Sequence, residues 1–232
     1  TKTMLGFHRL SINDLTPAGN QPFNENNVSC ICNGEIYNFR ELADKYDILL
    51  TSGSDCEIIL KLYNKSIEDD VRFSDFVSEF LGVFAFVVYD RNLDLIQIGR
   101  DPIGVRSLYM GTDVSSWYHL CISSEMKAIN SSKIQQFPPG TLMEYDIKSR
   151  QVLCMERFTY ILDKPEITNS NETEMHRMIY DSLVNAVRKR MISDRPIACL
   201  LSGGLDSSLI SALVAKEMTT PSDLHTFSIG MY

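Results

Sequence analysis

Between residues 197 and 229 the chain reads as strand, double-glycine turn, helix and strand, an order that leaves few folds open. Residues 197–201 form a short apolar run that predicts a buried strand. Ser202-Gly203-Gly204 is the turn, residues 207–217 are the helix, and residues 224–229 begin another strand. This is the start of a βαβ unit built on a parallel sheet. A glycine pair after a buried strand lets the backbone turn tightly and approach a ligand without a Cβ in the way. The following helix aims its unpaired N–H groups and positive dipole end at the same spot, which makes an anion site. Ser202, Ser207 and Ser208 add hydroxyls. Asp206 would repel a phosphate, so its presence makes sense only with Mg²⁺ between the two. The turn lacks a Gly-Lys-Ser/Thr ending, so it is not the P-loop of γ-phosphate-transferring enzymes.

The text upstream has a different texture. Residues 28–32 are β-prone and stop at Asn33-Gly34, a strong turn dipeptide. Ser54 followed by Glu57 has the capping-box spacing, and Ile58, Ile59, Leu62 and Tyr63 then recur at helical intervals. Residues 84–89 and 93–99 flank Asp90-Arg91-Asn92, which predicts a hairpin of buried strands. Residues 141–146 and 151–158 predict a second hairpin. The first domain, residues 1–160, is therefore an α+β module rich in antiparallel strands. Residues 161–171 read as a linker, and residues 172–232 as the opening of an α/β domain. Met175, Met178, Ile179, Leu183, Ala186 and Val187 mark one face of its first helix.

Composition narrows the function classes. With 22 Lys+Arg against 30 Asp+Glu the net charge is −8, a poor basis for holding nucleic acid by bulk charge. An apolar content of 44% supports a real core and excludes a wholly disordered chain. No run of 18 apolar residues and no basic–apolar leader occurs, so neither a membrane span nor a secretory signal is expected. The cysteines (Cys30, Cys32, Cys56, Cys121, Cys154, Cys199) sit mostly in apolar runs, which predicts reduced thiols and a cytoplasmic location. Cys30 and Cys32 share one strand face and read as core. The histidines His8, His119, His176 and His225 lack metal-ligand spacing. Phe80, Phe84, Phe86 and Tyr89 read as packing rather than as a base-stacking platform.

Longer motifs carry a family likeness. Leu200-Leu201-Ser202-Gly203-Gly204-Leu205-Asp206-Ser207-Ser208 resembles the pyrophosphate-binding loop of the adenylating ATP-pyrophosphatases, whose domain is α/β and adenine-nucleotide α-hydrolase-like. These enzymes split ATP between its α and β phosphates. By that resemblance Leu201, Ser202, Gly203, Gly204, Leu205, Asp206, Ser207, Ser208 and Ile229 bind ATP, with backbone at Leu201 and Ile229 on the base and Asp206 on Mg²⁺. Arg9-Leu10-Ser11-Ile12, Asn33-Gly34-Glu35-Ile36-Tyr37-Asn38 and Ser52-Gly53-Ser54-Asp55-Cys56-Glu57 follow in the order found in class II glutamine amidotransferases. Those have the N-terminal-nucleophile αββα fold. Gly99-Arg100-Asp101-Pro102-Ile103-Gly104-Val105-Arg106, Ser123-Ser124-Glu125-Met126-Lys127-Ala128 and Phe137-Pro138-Pro139-Gly140 continue the likeness. Together the two halves resemble the glutamine-hydrolysing asparagine synthetase family.

That resemblance implies a glutamine site made by Arg9, Leu10, Ser11, Ile12, Asn13, Asn33, Gly34, Glu35 and Asp55. Arg9 can grip the α-carboxylate with a bidentate fork. Glu35 and Asp55 are acceptors suited to the α-ammonium. The Asn33 side chain and Gly34 N–H can form the oxyanion hole. Taken singly, Asn-Gly also suits a hairpin turn, Asp55 a helix cap and Arg9 a surface ion pair; their joint order favours the site.

The family's nucleophile is a cysteine at the mature N-terminus, several tens of residues before the Arg9 motif. Thr1 stands only eight residues before Arg9 and is not that nucleophile. The chain thus reads as a fragment truncated at both ends, inactive alone. Ser107 stands where the family usually has proline. The parent enzyme would use glutamine, aspartate and ATP, through a β-aspartyl-AMP intermediate. No nucleic-acid or membrane partner is implied, and a homodimer is permitted. The rivals are another adenylating amide synthetase, of the β-lactam synthetase type, and a non-catalytic glutamine- or nucleotide-binding module.

Overall fold

In the computed structural model, which describes residues 3–112, 120–158 and 171–230, the short apolar runs of the first part pair as antiparallel strands. In chain order these are β1 (Phe23–Glu25), β2 (Val28–Ile36), α1 (Phe39–Lys45), α2 (Glu57–Glu68), α3 (Phe73–Val77), β3 (Gly82–Asp90) and β4 (Leu95–Arg100). There follow β5 (Tyr109–Gly111), β6 (Cys121–Ser123), β7 (Ile134–Gln136), β8 (Thr141–Asp146) and β9 (Gln151–Arg157). Six strands form one sheet in the order β1-β2-β3-β4-β8-β9, and three form a second in the order β6-β5-β7.

Period-two alternation gives the large sheet two buried faces. Phe84, Phe86 and Val88 of β3 lie on one face, with Cys30 and Cys32 of β2 opposite Val88 and Phe86 in register. Helix α2 buries Ile58, Ile59, Leu62 and Tyr63, and Phe73 of α3 meets Phe86 edge-on at 5.9 Å. Ala85, Val87 and Ile98 on the other face join Leu108, Phe137, Met143 and Tyr145 in a core shared with the small sheet. The result is the helix–sheet–sheet part of an αββα arrangement. The Phe80, Phe84 and Phe86 rings are packing groups, and Cys30 and Cys32 are buried thiols.

Two local expectations need correction. Asn33-Gly34 does not end a strand: β2 runs on to Ile36 and pairs with β3 throughout. Glycine is required there by a close crossing, because a Cβ on Gly34 would stand 2.1 Å from the Val83 carbonyl oxygen. Nor does the capping box form. Helix α2 begins at Glu57, and the Glu57 carboxylate instead accepts from the N–H groups of Thr51 (2.9 Å) and Ser52 (2.7 Å) and from both their hydroxyls.

The chain divides into two compact units, Thr1–Asp163 and Lys164–Tyr232. The predicted linker, residues 161–171, lies outside the described residues apart from Asn171, and His119 lies outside them too. The second unit contains α4 (Glu172–Arg190), β10 (Ala198–Leu200), α5 (Leu205–Glu217) and β11 (His225–Phe227). The Asn171 side chain caps α4 by accepting from Glu174 N–H at 2.9 Å. Glu172 and Glu174 in the first turn, and Arg188, Lys189 and Arg190 in the last, suit the helix dipole. Strands β10 and β11 pair in parallel, Ala198 opposite His225 and Leu200 opposite Phe227. The predicted buried strand is a largely exposed one: among the described residues it pairs with β11 alone, and Cys199 is its one half-buried residue, packed on the Val184, Val187, Leu213 and Val214 cluster. The predicted α4 face is likewise only partly covered. Val184 and Val187 pack with Leu213 and Val214 of α5, while Met175, Met178 and Ile179 are exposed.

Candidate functional site

The site in the first unit is built around one open stretch of sheet edge. Strand β1 pairs with β2 only from Val28 to Cys30. Beyond that, the Gln21 amide stands in for a neighbouring strand, accepting from Cys32 N–H at 2.6 Å and donating to Cys32 O at 3.2 Å. Two pairs further on, the Asp55 carboxylate accepts from Ile36 N–H at 2.7 Å. Alternation along β2 sends the N–H of Gly34 to this same edge, between the two, where no strand lies among the described residues. The Gly34 carbonyl is met by the Cys56 thiol at 3.5 Å. A backbone N–H aimed into a gap between two blocked positions is well placed to donate to an incoming carbonyl oxygen. The half-buried Asn33 and Glu35 side chains project from the face that Ile31 shares.

The Arg9 loop closes around that edge. Arg9 donates to the carbonyls of Asn13 (2.8 Å) and Thr16 (3.2 Å), to the Asp14 carbonyl, and to Asn20 Oδ1 at 3.0 Å. The Asn13 amide donates in turn to Asp55 Oδ1 at 3.1 Å. The links Arg9–Asn13–Asp55–Ile36 and Arg9–Asn20 thus enclose Gly34, with Gln21 next to Asn20 in sequence and bonded to Cys32. Arg9 is therefore engaged by its own loop and shapes it, a role the reading of a bare carboxylate clamp did not include. Leu10 is exposed, while Ser11 and Ile12 are half-buried in the same loop. Glu35 accepts from the Tyr37 hydroxyl at 3.4 Å.

Charge in this region is tuned by hydrogen bonds. The Thr16 hydroxyl holds the Asp14 carboxyl below its usual range, outweighing burial, with help from the N–H groups of Gly53 and Thr16. Burial would raise Glu57, but the Ser52 and Thr51 donors outweigh it and leave the carboxyl acidic. Contact with Cys32, then burial, pushes the Cys56 thiol well up, so Cys56 stays protonated beside Gly34 and is no thiolate nucleophile.

One residue of structural weight was not singled out from the sequence. Asp101, 1% exposed, accepts from five backbone N–H groups: Ile103 (3.1 Å), Gly104 (2.6 Å), Val105 (2.9 Å), Arg106 (3.0 Å) and Phe84 (3.2 Å). Arg100 beside it is equally buried and donates to the carbonyls of Arg106, Phe137 and Gly104. The available signal was an Asp followed by Pro and, two residues on, Gly, a pattern that favours a carboxylate-centred turn.

In the second unit, the glycine turn opens helix α5. Gly203 has φ +83°, and nothing lies within 4 Å of where its Cβ would be, so glycine serves conformation there rather than crowding. Ser208 N–H makes the first helical bond, to Gly204 O at 3.1 Å. The N–H groups of Leu205, Asp206 and Ser207 precede it in the first turn and have no intrahelical acceptor. The serine hydroxyls hold the turn itself: Ser207 and Ser208 donate to Gly204 O at 3.2 and 2.8 Å, and Ser202 and Ser207 Oγ lie 3.0 Å apart. Leu201 donates its N–H to Phe227 O at 2.8 Å and accepts from the Ser228 hydroxyl at 2.6 Å, so a base contact there would use the carbonyl's second lone pair. Ile229 is exposed. Ser202 N–H and Gly204 N–H donate to the Ser207 and Ser202 hydroxyls at 3.3 and 3.4 Å, so the first-turn N–H groups of α5 are what this turn offers a pyrophosphate. Among the described residues no three His, Cys, Asp or Glu converge on a metal site. Asp206 could therefore serve Mg²⁺ as a single protein ligand, the remainder being phosphate and water oxygens, a common arrangement for this ion.

Two family models match the chain, one over each part. Residues 1–158 match the glutamine amidotransferase domain model, and residues 178–232 match the asparagine synthase model. A probable glutamine-hydrolysing asparagine synthetase of Acanthamoeba polyphaga mimivirus is 36% identical over 97% of this chain and 43% of its own length. Asparagine synthetase B of Escherichia coli (strain K12), also glutamine-hydrolysing, is 36% identical over 98% of this chain and 42% of its own. The chain thus spans less than half the length of these curated relatives. A solved structure of the allosteric regulatory enzyme of purine biosynthesis superposes with a TM-score of 0.52 at 17% identity, covering 91% of this chain and 47% of its own, a likeness of fold alone. The fold is the class II, N-terminal-nucleophile type followed by a segment that matches the asparagine synthase model, and the chain belongs to the glutamine amidotransferase domain family.

Proposed function

We propose that this chain supplies the glutamine site and the first part of the ATP site of a glutamine-hydrolysing asparagine synthetase. The observation that carries the reading is the enclosed sheet edge at Gly34, followed in the same chain by the open glycine turn at the head of α5. In the first site a nucleophile adds to the glutamine amide carbon, and negative charge collects on the amide oxygen. Gly34 N–H, with the Asn33 amide, receives that charge; losing one such donor typically costs about 10²–10³ in rate. Ammonia leaves as the C–N bond breaks, and water releases glutamate. The Arg9 loop holds the α-carboxylate, and Asp55 and Glu35 face the α-ammonium. In the second site the first-turn N–H groups of α5 and the loop backbone take the pyrophosphate of ATP. Mg²⁺, held by Asp206 and phosphate oxygens, would offset the charge between them. The aspartate carboxylate is a poor electrophile until one of its oxygens becomes a leaving group, which adenylation provides, and ammonia then displaces AMP.

The reading is supported further by free thiols at Cys30, Cys32, Cys56, Cys121, Cys154 and Cys199, which fit a reducing, cytoplasmic setting. No helix among the described residues is long and apolar enough to cross a membrane. Aspartate-dependent ATP–pyrophosphate exchange by the complete protein tests the proposal. Exchange is expected, and Asp206→Asn should abolish it while leaving glutamine hydrolysis intact. No exchange, or equal loss of both activities in the variant, would count against it.

A further inference from the structure

We infer that Asp14 is a positioning residue for the glutamine pocket, acting through Asp55; the inference rests on the reading of that pocket given above. Asp55 stands near the end of the irregular segment that precedes α2, two residues before the helix begins at Glu57. Two buried carboxylates hold the loop. Glu57, on its C-terminal side, takes the N–H and hydroxyl groups of Thr51 and Ser52. Asp14, from the Arg9 loop, takes Gly53 N–H on Oδ2 at 2.8 Å. The other oxygen of Asp14 accepts from Thr16 N–H at 3.0 Å and the Thr16 hydroxyl at 2.6 Å. Asp14 therefore ties the loop that carries Arg9 and Asn13 to the loop that carries Asp55. Between the same two loops Asn13 reaches Asp55 directly, so a shift at Gly53 moves the acceptor on which that contact depends.

Asparagine is the informative replacement. Asp14 has φ +54°, a left-handed conformation that Asn tolerates at least as well as Asp, so the backbone is left undisturbed. An Asn amide can keep its oxygen toward the Thr16 donors, but its NH₂ then meets Gly53 N–H donor to donor. The tie between the loops is lost and the local turn is kept.

The test is glutamine-dependent and ammonia-dependent synthesis by the complete protein carrying Asp14→Asn, Asp55→Asn or both. Asp14→Asn should raise the glutamine KM about tenfold, the scale of one charged hydrogen bond, with kcat changed less than about threefold and ammonia-dependent synthesis within about twofold. Because Asp14 acts through Asp55, the double variant should have a glutamine KM within about twofold of Asp55→Asn alone. An unchanged KM in Asp14→Asn, with a raised one in Asp55→Asn, overturns the positioning role and spares the pocket. Multiplying effects in the double variant also overturn it, since they mean that Asp14 acts independently. An unchanged KM in Asp55→Asn overturns the pocket and the inference together. If Asp14→Asn does not accumulate folded, Gly53→Ala reads the same contact. Its Cβ would stand 3.3 Å from Asp14 Cβ, and a KM raised about threefold is expected; an unchanged one overturns the role.

Discussion

Replacing Asp101 with Asn exchanges one oxygen for an NH₂ in a site that cannot readjust, because the side chain is 1% exposed and surrounded by donors. Oδ1 serves Ile103, Gly104 and Val105, while Oδ2 serves Arg106 and Phe84. The amide oxygen will take the three-donor side, leaving its NH₂ against two backbone N–H groups. A hydrogen bond to a charged acceptor contributes about 1.5–3 kcal/mol, and a buried donor left without one costs a similar amount. Two bonds lost and three weakened, with partial relaxation, give about 4 kcal/mol. That is a large share of the roughly 5–15 kcal/mol by which a domain is stable. Urea denaturation should show the loss as a midpoint lowered by about 2 M, for a slope of about 2 kcal/mol/M. A midpoint lowered by less than about 0.5 M at unchanged slope would refute the assignment of Asp101 as the centre of this turn. It would mean that the loop folds on the Arg100 contacts alone.

Arg9→Ala in the complete protein should raise the glutamine KM about tenfold or more and leave the ammonia KM nearly unchanged, since it removes both a cation and the four bonds that shape its loop. Equal shifts would argue against a glutamine-site role. Gly34→Ala places a Cβ 2.1 Å from Val83 O and 2.6 Å from Phe84 Cα, backbone atoms that cannot swing aside, so about 3 kcal/mol or more of stability should be lost; a wild-type denaturation midpoint would contradict that crossing. Glu57 has a folded-state pKa below its unfolded value, so its contribution is present above the ordinary carboxylate range and fades as pH falls through the lowered folded value. The stability gap between the wild type and Glu57→Gln should therefore be constant near neutrality and shrink below about pH 4; a gap unchanged down to pH 3 would refute this.

Elements with strong periodicity were legible. Ile58, Ile59, Leu62 and Tyr63 line the buried side of α2, and Cys30 and Cys32 share a core-facing side of β2, because period alone decides which face is covered. Asn33-Gly34 misled because local turn preference competes with tertiary pairing, and here a nine-residue register with β3 prevails. Glu57 has the spacing of a capping box, yet the loop ahead of α2 folds back far enough for Thr51 and Ser52 to claim the carboxylate first. In α4 the stripe was visible, but how much of it is covered depends on neighbours that no local pattern reports. For the site, residue types and order pointed to Gly34, Asp55 and the Gly203-Gly204 turn. Asp14 escaped notice because its long-range partner is the Gly53 backbone N–H, a group that every residue but proline carries, whereas the turn signal around Asp101 was present and went unused.

Among the described residues the second unit encloses only the apolar side chains of Val184, Val187, Leu213 and Val214, whereas dozens interlock in the first. Heat should therefore not undo the chain in one cooperative step. Calorimetry should record a broad early endotherm from the second unit ahead of a sharper one from the first, and a single quoted Tm would describe the first unit alone.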